Sequence, residues 1–161
     1  MTALHRISSD GLDLICHYEG MRLEPYNCPA GHATIGYGHL LHKGPVTDED
    51  RHKAVGFAQG DADALLRGDT AWAENFINTS IKVPLSQHQF DALCSFVFNV
   101  GVTAAGGSSI WKALRGEQYQ QAADNLLRWN KVTALGGALV VSAGLSARRE
   151  AERHLFMGKD A

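Results

Sequence analysis

The stretch "CHYEGMRLEPYNCPAGHATIGYGH", Cys16 to His39, carries a carboxylate at Glu19, a thiol at Cys28 and a hydroxyl at Thr34. At about 100° per residue, Leu12, Ile15, Cys16 and Glu19 fall on one arc of a helix. A charge on an apolar arc is costly. Such burial raises a carboxyl's pKa and suits it to donate a proton near neutral pH. Glycoside hydrolysis needs that acid and a second group across the sugar, acting as nucleophile or water positioner. Cys28 is the nearest candidate for the second group, with Thr34 able to hold a water. Other readings use the same residues. Glu19 could pair with an arginine at a helix end. Cys28 with His32 or His39 could form a Cys–His pair, although Cys28 precedes a proline and has no helix N-terminus to lower its pKa. Cys28, His32, His39 and His42 could ligate a metal, but their spacing matches no closed zinc pattern. His39, beside sheet residues, also fits a hydrogen-bonded structural histidine.

The elements that must position these groups are legible in outline. Residues 8–19 read as an amphipathic helix capped by Ser8 or Ser9 and ended by Gly20. Pro25 and Pro29 push the residues before them out of helical geometry, so "GMRLEPYNCPAGH" reads as loop or extended chain. "ATIGYGHLL" mixes β-branched and aromatic residues with glycines and reads as a small sheet element. Thr47 caps a helix that opens with acids. From about residue 50 onward the chain reads as helical. "DADALLRGD" and "DTAWAENFIN" are separated by Gly68. Pro84 breaks the chain, and Ser86 caps "QHQFDALCSFVFNVG", which is apolar nearly all round and belongs at the centre of a lobe. Gly106-Gly107 is a hinge or turn. "SSIWKALRGEQ" and "YQQAADNLLRWNK" read as two short helices, "VTALGGALVVSAG" as a loop or hairpin, and the last helix opens at Ser146 and closes at Gly158. Arg148, Arg149 and Arg153, interleaved with Glu150 and Glu152, read as a solvated helix face.

The 161 residues, 45% hydrophobic, suffice for one domain with a core or two small lobes sharing one. A cleft between lobes is where a ligand would bind. A net charge of −2 excludes an evident nucleic-acid partner. Three cysteines make no disulfide framework; Cys16 and Cys94 read as small core residues. There is no transmembrane stretch and no secretory signal, so the expected location is the cytoplasm, with no membrane insertion. No cofactor or metal is expected.

Glu19, eight residues, Cys28, five residues, Thr34, then "IGYGH", resembles the phage-type lysozymes, the endolysins of glycoside hydrolase family 24. "LSQHQFDALCSFVFNVG", "AADNLLRWNK" and "GLSARREAERHLF" resemble that family's C-terminal lobe, in the right order. The resemblance implies an α+β, mostly helical, two-lobed lysozyme-like fold. One catalytic domain spans 1–161, with a small N-terminal sheet lobe over about 8–50 and a helical lobe over about 51–161. It implies hydrolysis of the β-1,4 bond between N-acetylmuramic acid and N-acetylglucosamine in peptidoglycan. By position Glu19 matches the general acid, Cys28 and Thr34 the second and third catalytic residues, and Arg148 a basic residue near the acid. Asn99 and His39 are further supporting candidates. The family's common residue at position 28 is Asp; with Cys the stereochemistry stays open. The 132–144 segment is longer than the usual connection. The resemblance further implies a monomer that waits in the bacterial cytoplasm until a separate membrane-pore protein releases it to the wall. The rival readings are a non-catalytic peptidoglycan-binding module and a thiol peptidase using Cys28.

Overall fold

The structure is a computed structural model that describes residues 4–158. The chain divides into two compact units: Ile15–Ala71, and the segment up to Leu14 together with everything from Trp72. The mixed, mostly helical character expected from sequence holds for the chain.

The smaller unit takes the end of α1 (Ser9–Glu19), strands β1 (Arg22–Asn27), β2 (Ala33–Gly36) and β3 (His39–His42), helix α2 (Asp48–Lys53) and the start of α3 (Gln59–Ser80). The strands form an antiparallel sheet in the order β1-β2-β3. β1 lies within the stretch read as loop or extended chain. Pro25 is tolerated there because β1 is an edge strand and the register shifts between Arg22 and Tyr26. Thr47 caps α2 in a reciprocal box with Asp50, as its position before an acidic turn implies. The unit runs to Ala71, past the expected boundary near 50, because α3 approaches the sheet. A Cβ at Gly36 would stand 3.4 Å from Ala62 Cβ. Gly68 does not interrupt this helix. It faces open space inside one continuous α3, where glycine costs only about 1 kcal/mol relative to alanine.

The larger unit is built around α4 (Gln87–Val100), capped by Ser86 and Gln89 as expected. Every residue from Phe90 to Val97 is buried. Full burial of side chains such as Phe90, Leu93, Phe96 and Val97 stabilises by about 1.5–3 kcal/mol each. Around it stand α5 (Val102–Gly106), α6 (Ser109–Arg115), α7 (Tyr119–Leu126) and α8 (Ala143–Phe156). Gly107 makes the expected turn after α5. The "VTALGGALVVSAG" segment is a hairpin of β4 (Lys131–Thr133) and β5 (Leu139–Val141). α8 opens one turn earlier than expected. Ser142 caps it by accepting from Leu145 N–H, while Ser146 lies inside and accepts from Asn130. The Ser8 hydroxyl is likewise diverted from capping α1. It donates to the buried carboxylate of Asp91, which also accepts the Ser8 N–H at 2.9 Å and Gln87 Nε2 at 2.8 Å. A Cβ at Gly11 would stand 2.9 Å from Asp91 Cβ, so the start of α1 is pressed onto α4 through a glycine.

Candidate active site

Glu19 is the last residue of α1. Gly20, at φ +70°, ends the helix, and its N–H reaches the Cys16 carbonyl at 3.1 Å. The Glu19 side chain is half-buried, on the arc whose Leu12 and Ile15 are buried. Its Oε2 lies 3.8 Å from where a Cβ on Gly38 would stand. Gly38 closes the tight β2–β3 turn at φ +81°, a conformation that favours glycine, and the carboxylate lies beside that turn.

Cys28 follows β1 in a turn closed by two bonds: its own N–H to the His32 carbonyl at 3.0 Å, and the Gly31 N–H to its carbonyl at 2.7 Å. The turn directs backbone N–H groups toward the sulfur's side of the loop. The His32 N–H, aided by those of Ala30 and Gly31 and by the Thr34 hydroxyl, holds the thiol below its ordinary pKa against a smaller opposing effect of burial. A backbone nest of this kind favours an anion. The sequence offered no helix N-terminus to activate Cys28; the five-residue turn does that work instead.

Thr34 is buried on β2, between Tyr26 of β1 and Leu40 of β3 in the register. Its hydroxyl donates to the His32 carbonyl at 2.9 Å. One hydroxyl has one proton. While Thr34 donates to that carbonyl it can only accept from a Cys28 S–H; to stabilise a thiolate, the hydroxyl must rotate toward sulfur.

The histidines of the thiol and metal readings have other partners. His32 Nδ1 accepts the Gly44 N–H at 3.0 Å. His39 Nδ1 meets the Asp69 carboxylate at 2.8 and 3.1 Å, a structural pairing between β3 and α3. His42 Nε2 meets Asp50 at 2.7 Å.

Sequence reasoning missed Tyr26. It sits opposite Thr34, with the Arg22 guanidinium 4.5 Å from its ring centroid. Burial raises its phenol pKa, Arg22 opposes this, and the charges of Glu19 and Cys28 add to the rise. Taking β1 as irregular chain hid this residue, because only the pairing brings it beside Thr34.

The two remaining candidates belong to the larger unit. Arg148 is buried and Asn99 is exposed at the end of α4. Arg148 Nη2 donates to the Ser95 carbonyl at 3.2 Å and hydroxyl at 3.3 Å, and its Nε lies 3.7 Å from Glu152. Asn99 Oδ1 accepts from Arg149, which also donates to Glu152 and, at 2.9 Å, to the Trp129 carbonyl. This overturns the solvated-face reading of the C-terminal charges. Arg148, Arg149 and Glu152 are buried, and they are tolerated there because each charge has a partner within the cluster.

Residues 16–152 match the family model described as phage lysozyme. The chain belongs to the phage lysozyme family. It is 42% identical over 152 residues to an endolysin of Acyrthosiphon pisum secondary endosymbiont phage 1, covering 93% of this chain and 97% of the relative. An endolysin of Salmonella phage P22 is 36% identical over 152 residues, with coverage of 94% and 98%. Among solved structures, the endolysin from Escherichia coli O157:H7 phage FAHEc1 superposes with a TM-score of 0.84 at 34% identity. That match covers 98% of this chain and 96% of the other. The lysozyme-like fold implied by the Glu19–Cys28–Thr34 spacing and its following segments is thereby shown.

Proposed function

We propose that Glu19, Cys28 and Thr34 form the reacting set of this phage lysozyme. The chain is a glycoside hydrolase of the lysozyme type, a muramidase that lyses peptidoglycan. Its bond is the β-1,4 link between N-acetylmuramic acid and N-acetylglucosamine. Glu19 gives its proton to the bridging oxygen, which leaves as the new hydroxyl of one sugar. Cys28 and Thr34 position water or stabilise the intermediate at the anomeric carbon of the other. The observation that carries the assignment is local to one unit. An acid at the end of α1, beside the Gly38 turn, belongs to the same unit as a thiol of lowered pKa after β1 and a buried hydroxyl on β2.

Tyr26 acts as a positioning residue beside Thr34. His39 supports the site by fixing β3 to α3 through Asp69. No helix of the described residues is long and apolar enough to cross a membrane. The protein acts as a monomer, held in the cytoplasm until a separate pore protein releases it to the wall.

The test is lysis of bacteria with permeabilised outer membranes, with mass spectrometry of the released fragments. Wild type clears the suspension and yields new reducing sugar ends. Glu19→Gln loses about a hundredfold or more, the scale of a lost general acid, while its melting temperature stays put. Equal clearing by both proteins sinks the Glu19 assignment. New amines in place of reducing ends would mean a thiol peptidase, and wall binding without either product would mean a non-catalytic module.

A further inference from the structure

The β4–β5 hairpin carries none of the residues proposed for that chemistry, and its strands are exposed rather than packed. Its strands pair Lys131 with Val141, Val132 with Val140 and Thr133 with Leu139, yet every one of these residues is exposed. Val132, Val140, Val141 and Leu139 range from 44% to 68% exposed, and Leu135 at the tip is fully so. Apolar side chains thus project from both faces of a two-stranded ribbon, an element that is marginal in water by itself. The turn satisfies its own backbone: Ala134 N–H reaches the Ala138 carbonyl at 2.8 Å and Gly137 N–H the Ala134 carbonyl at 3.0 Å. Gly136 and Gly137, at φ +93° and +86°, permit that geometry and leave Leu135 at the apex.

Charge is distributed along the same axis. No acidic residue occurs between Asp124 and Glu150. Asp124 is taken by Arg153 at 2.8 Å. Arg128 and Lys131, at the base of the hairpin, are exposed and make no ion pair among the described residues. In a chain of net charge −2 this is a local cationic collar beneath an apolar tip. At about 3.3 Å per residue, Lys131 to Leu135 spans about 13 Å. An apolar element lying in the membrane interface buries about 5–10 Å, with its cations at the headgroups. The dimensions and the order of groups match.

We infer that the 131–141 hairpin is a membrane-interface wedge that docks the protein on a bilayer carrying anionic phospholipid. Leu135 and Leu139 enter the headgroup–acyl boundary while Arg128 and Lys131 meet phosphates. This needs no spanning segment. It stands apart from the muramidase assignment, so Glu19→Gln binds vesicles like wild type whatever its effect on lysis.

Flotation of the full chain with phosphatidylethanolamine–phosphatidylglycerol vesicles, against phosphatidylcholine vesicles, is the test. Wild type floats with the anionic vesicles, and added salt weakens it. Leu135→Asp lowers vesicle affinity by about tenfold or more; Arg128→Glu with Lys131→Glu abolishes the preference for anionic lipid. Both variants keep the wild-type melting temperature and the activity on purified peptidoglycan, because the replaced side chains are exposed. Leu139→Ser repeats the test should Leu135→Asp melt early. Absence of wild-type binding to anionic vesicles, or unchanged binding by Leu135→Asp, overturns the inference. So does a wild-type dimer in sedimentation velocity that Leu135→Asp converts to monomer, since the occupant would then be a second copy.

Discussion

The two units hold polar groups in opposite ways. The larger one buries them and pairs most of them with one another. Arg149 and Glu152 are fully buried, and the pair is tied to Asn99 and the Trp129 carbonyl. The smaller one leaves Glu19 and Cys28 half-exposed and positions them with backbone: a glycine that ends α1, a glycine turn beside the carboxylate, and a turn whose N–H groups lower the thiol pKa. A buried, internally paired cluster such as Arg149 with Glu152 holds a fold rigid and spends its hydrogen bonds inside the protein. Groups fixed by backbone keep their reactive faces open.

The comparison breaks most visibly at Glu152. Burial pushes its carboxyl up to about 7 against the pull of Arg149 and Arg148. Removing it leaves Arg149 as an uncompensated buried charge. Glu152→Ala is therefore expected to cost about 3–5 kcal/mol of stability, read from the shift in urea midpoint. Activity per folded molecule should stay close to wild type. A loss of about 1 kcal/mol or less would mean that water or rearrangement satisfies Arg149, and that the cluster is not the closed unit described here.

A sharper contrast comes from Cys28, where activity should move and stability should not. A thiol that works as its anion gives an activity lost as pH falls through the thiol pKa, which the nest holds below its ordinary value. Cys28→Asp should keep activity within about tenfold of wild type and carry that acid limb down toward the carboxylate range. Cys28→Ser, which offers no anion, should fall further than Cys28→Asp and lose the limb. If Cys28→Ser and Cys28→Asp are both inactive while folded, the sulfur is a nucleophile that neither oxygen replaces.

How far these groups were legible follows the range of the interactions that hold them. Capping is local, so Thr47 and Ser86 announced α2 and α4 from a few neighbouring residues. The all-round apolar pattern of "FDALCSFV" fixed the centre of the larger unit for the same reason. The Glu19–Cys28–Thr34 spacing was legible because it lies within a short stretch and resembles a known family's motif. What failed was non-local. Pro25 hid β1, since only pairing with β2 makes an edge strand of it. Ser8 looked like a cap until Asp91, far along the chain, claimed its hydroxyl. The C-terminal charges looked solvated because alternation of sign is common on exposed helices, and nothing local reveals that Asn99 and Ser95 stand opposite them. Tyr26 needed the register itself.

The smallest effect belongs to the ion pair that links the sheet to α2 in the smaller unit. His42 on β3 meets Asp50 of α2 at 2.7 Å, and the same carboxylate oxygen accepts the Thr47 N–H at 2.8 Å. The Lys43 carbonyl first, then Asp50, raise the His42 pKa. The Thr47 N–H first, then His42, hold Asp50 down to about 2. The signs set a window. The histidine contribution is complete below its unfolded pKa near 6.5 and fades as pH rises through the raised folded value; the aspartate contribution is complete above about 3.8 and fades as pH falls toward about 2. Both are present together between about pH 4 and 6.5. The melting-temperature gap between wild type and His42→Ala should peak in that interval and narrow above neutrality. It should stay small throughout, because both groups are solvent-screened. A gap that is flat from pH 5 to 9 would leave the histidine acting only as a neutral hydrogen-bond donor. The charge of His42 would then contribute nothing to cohesion, and neutral hydrogen bonding, backbone and packing would hold the sheet to α2.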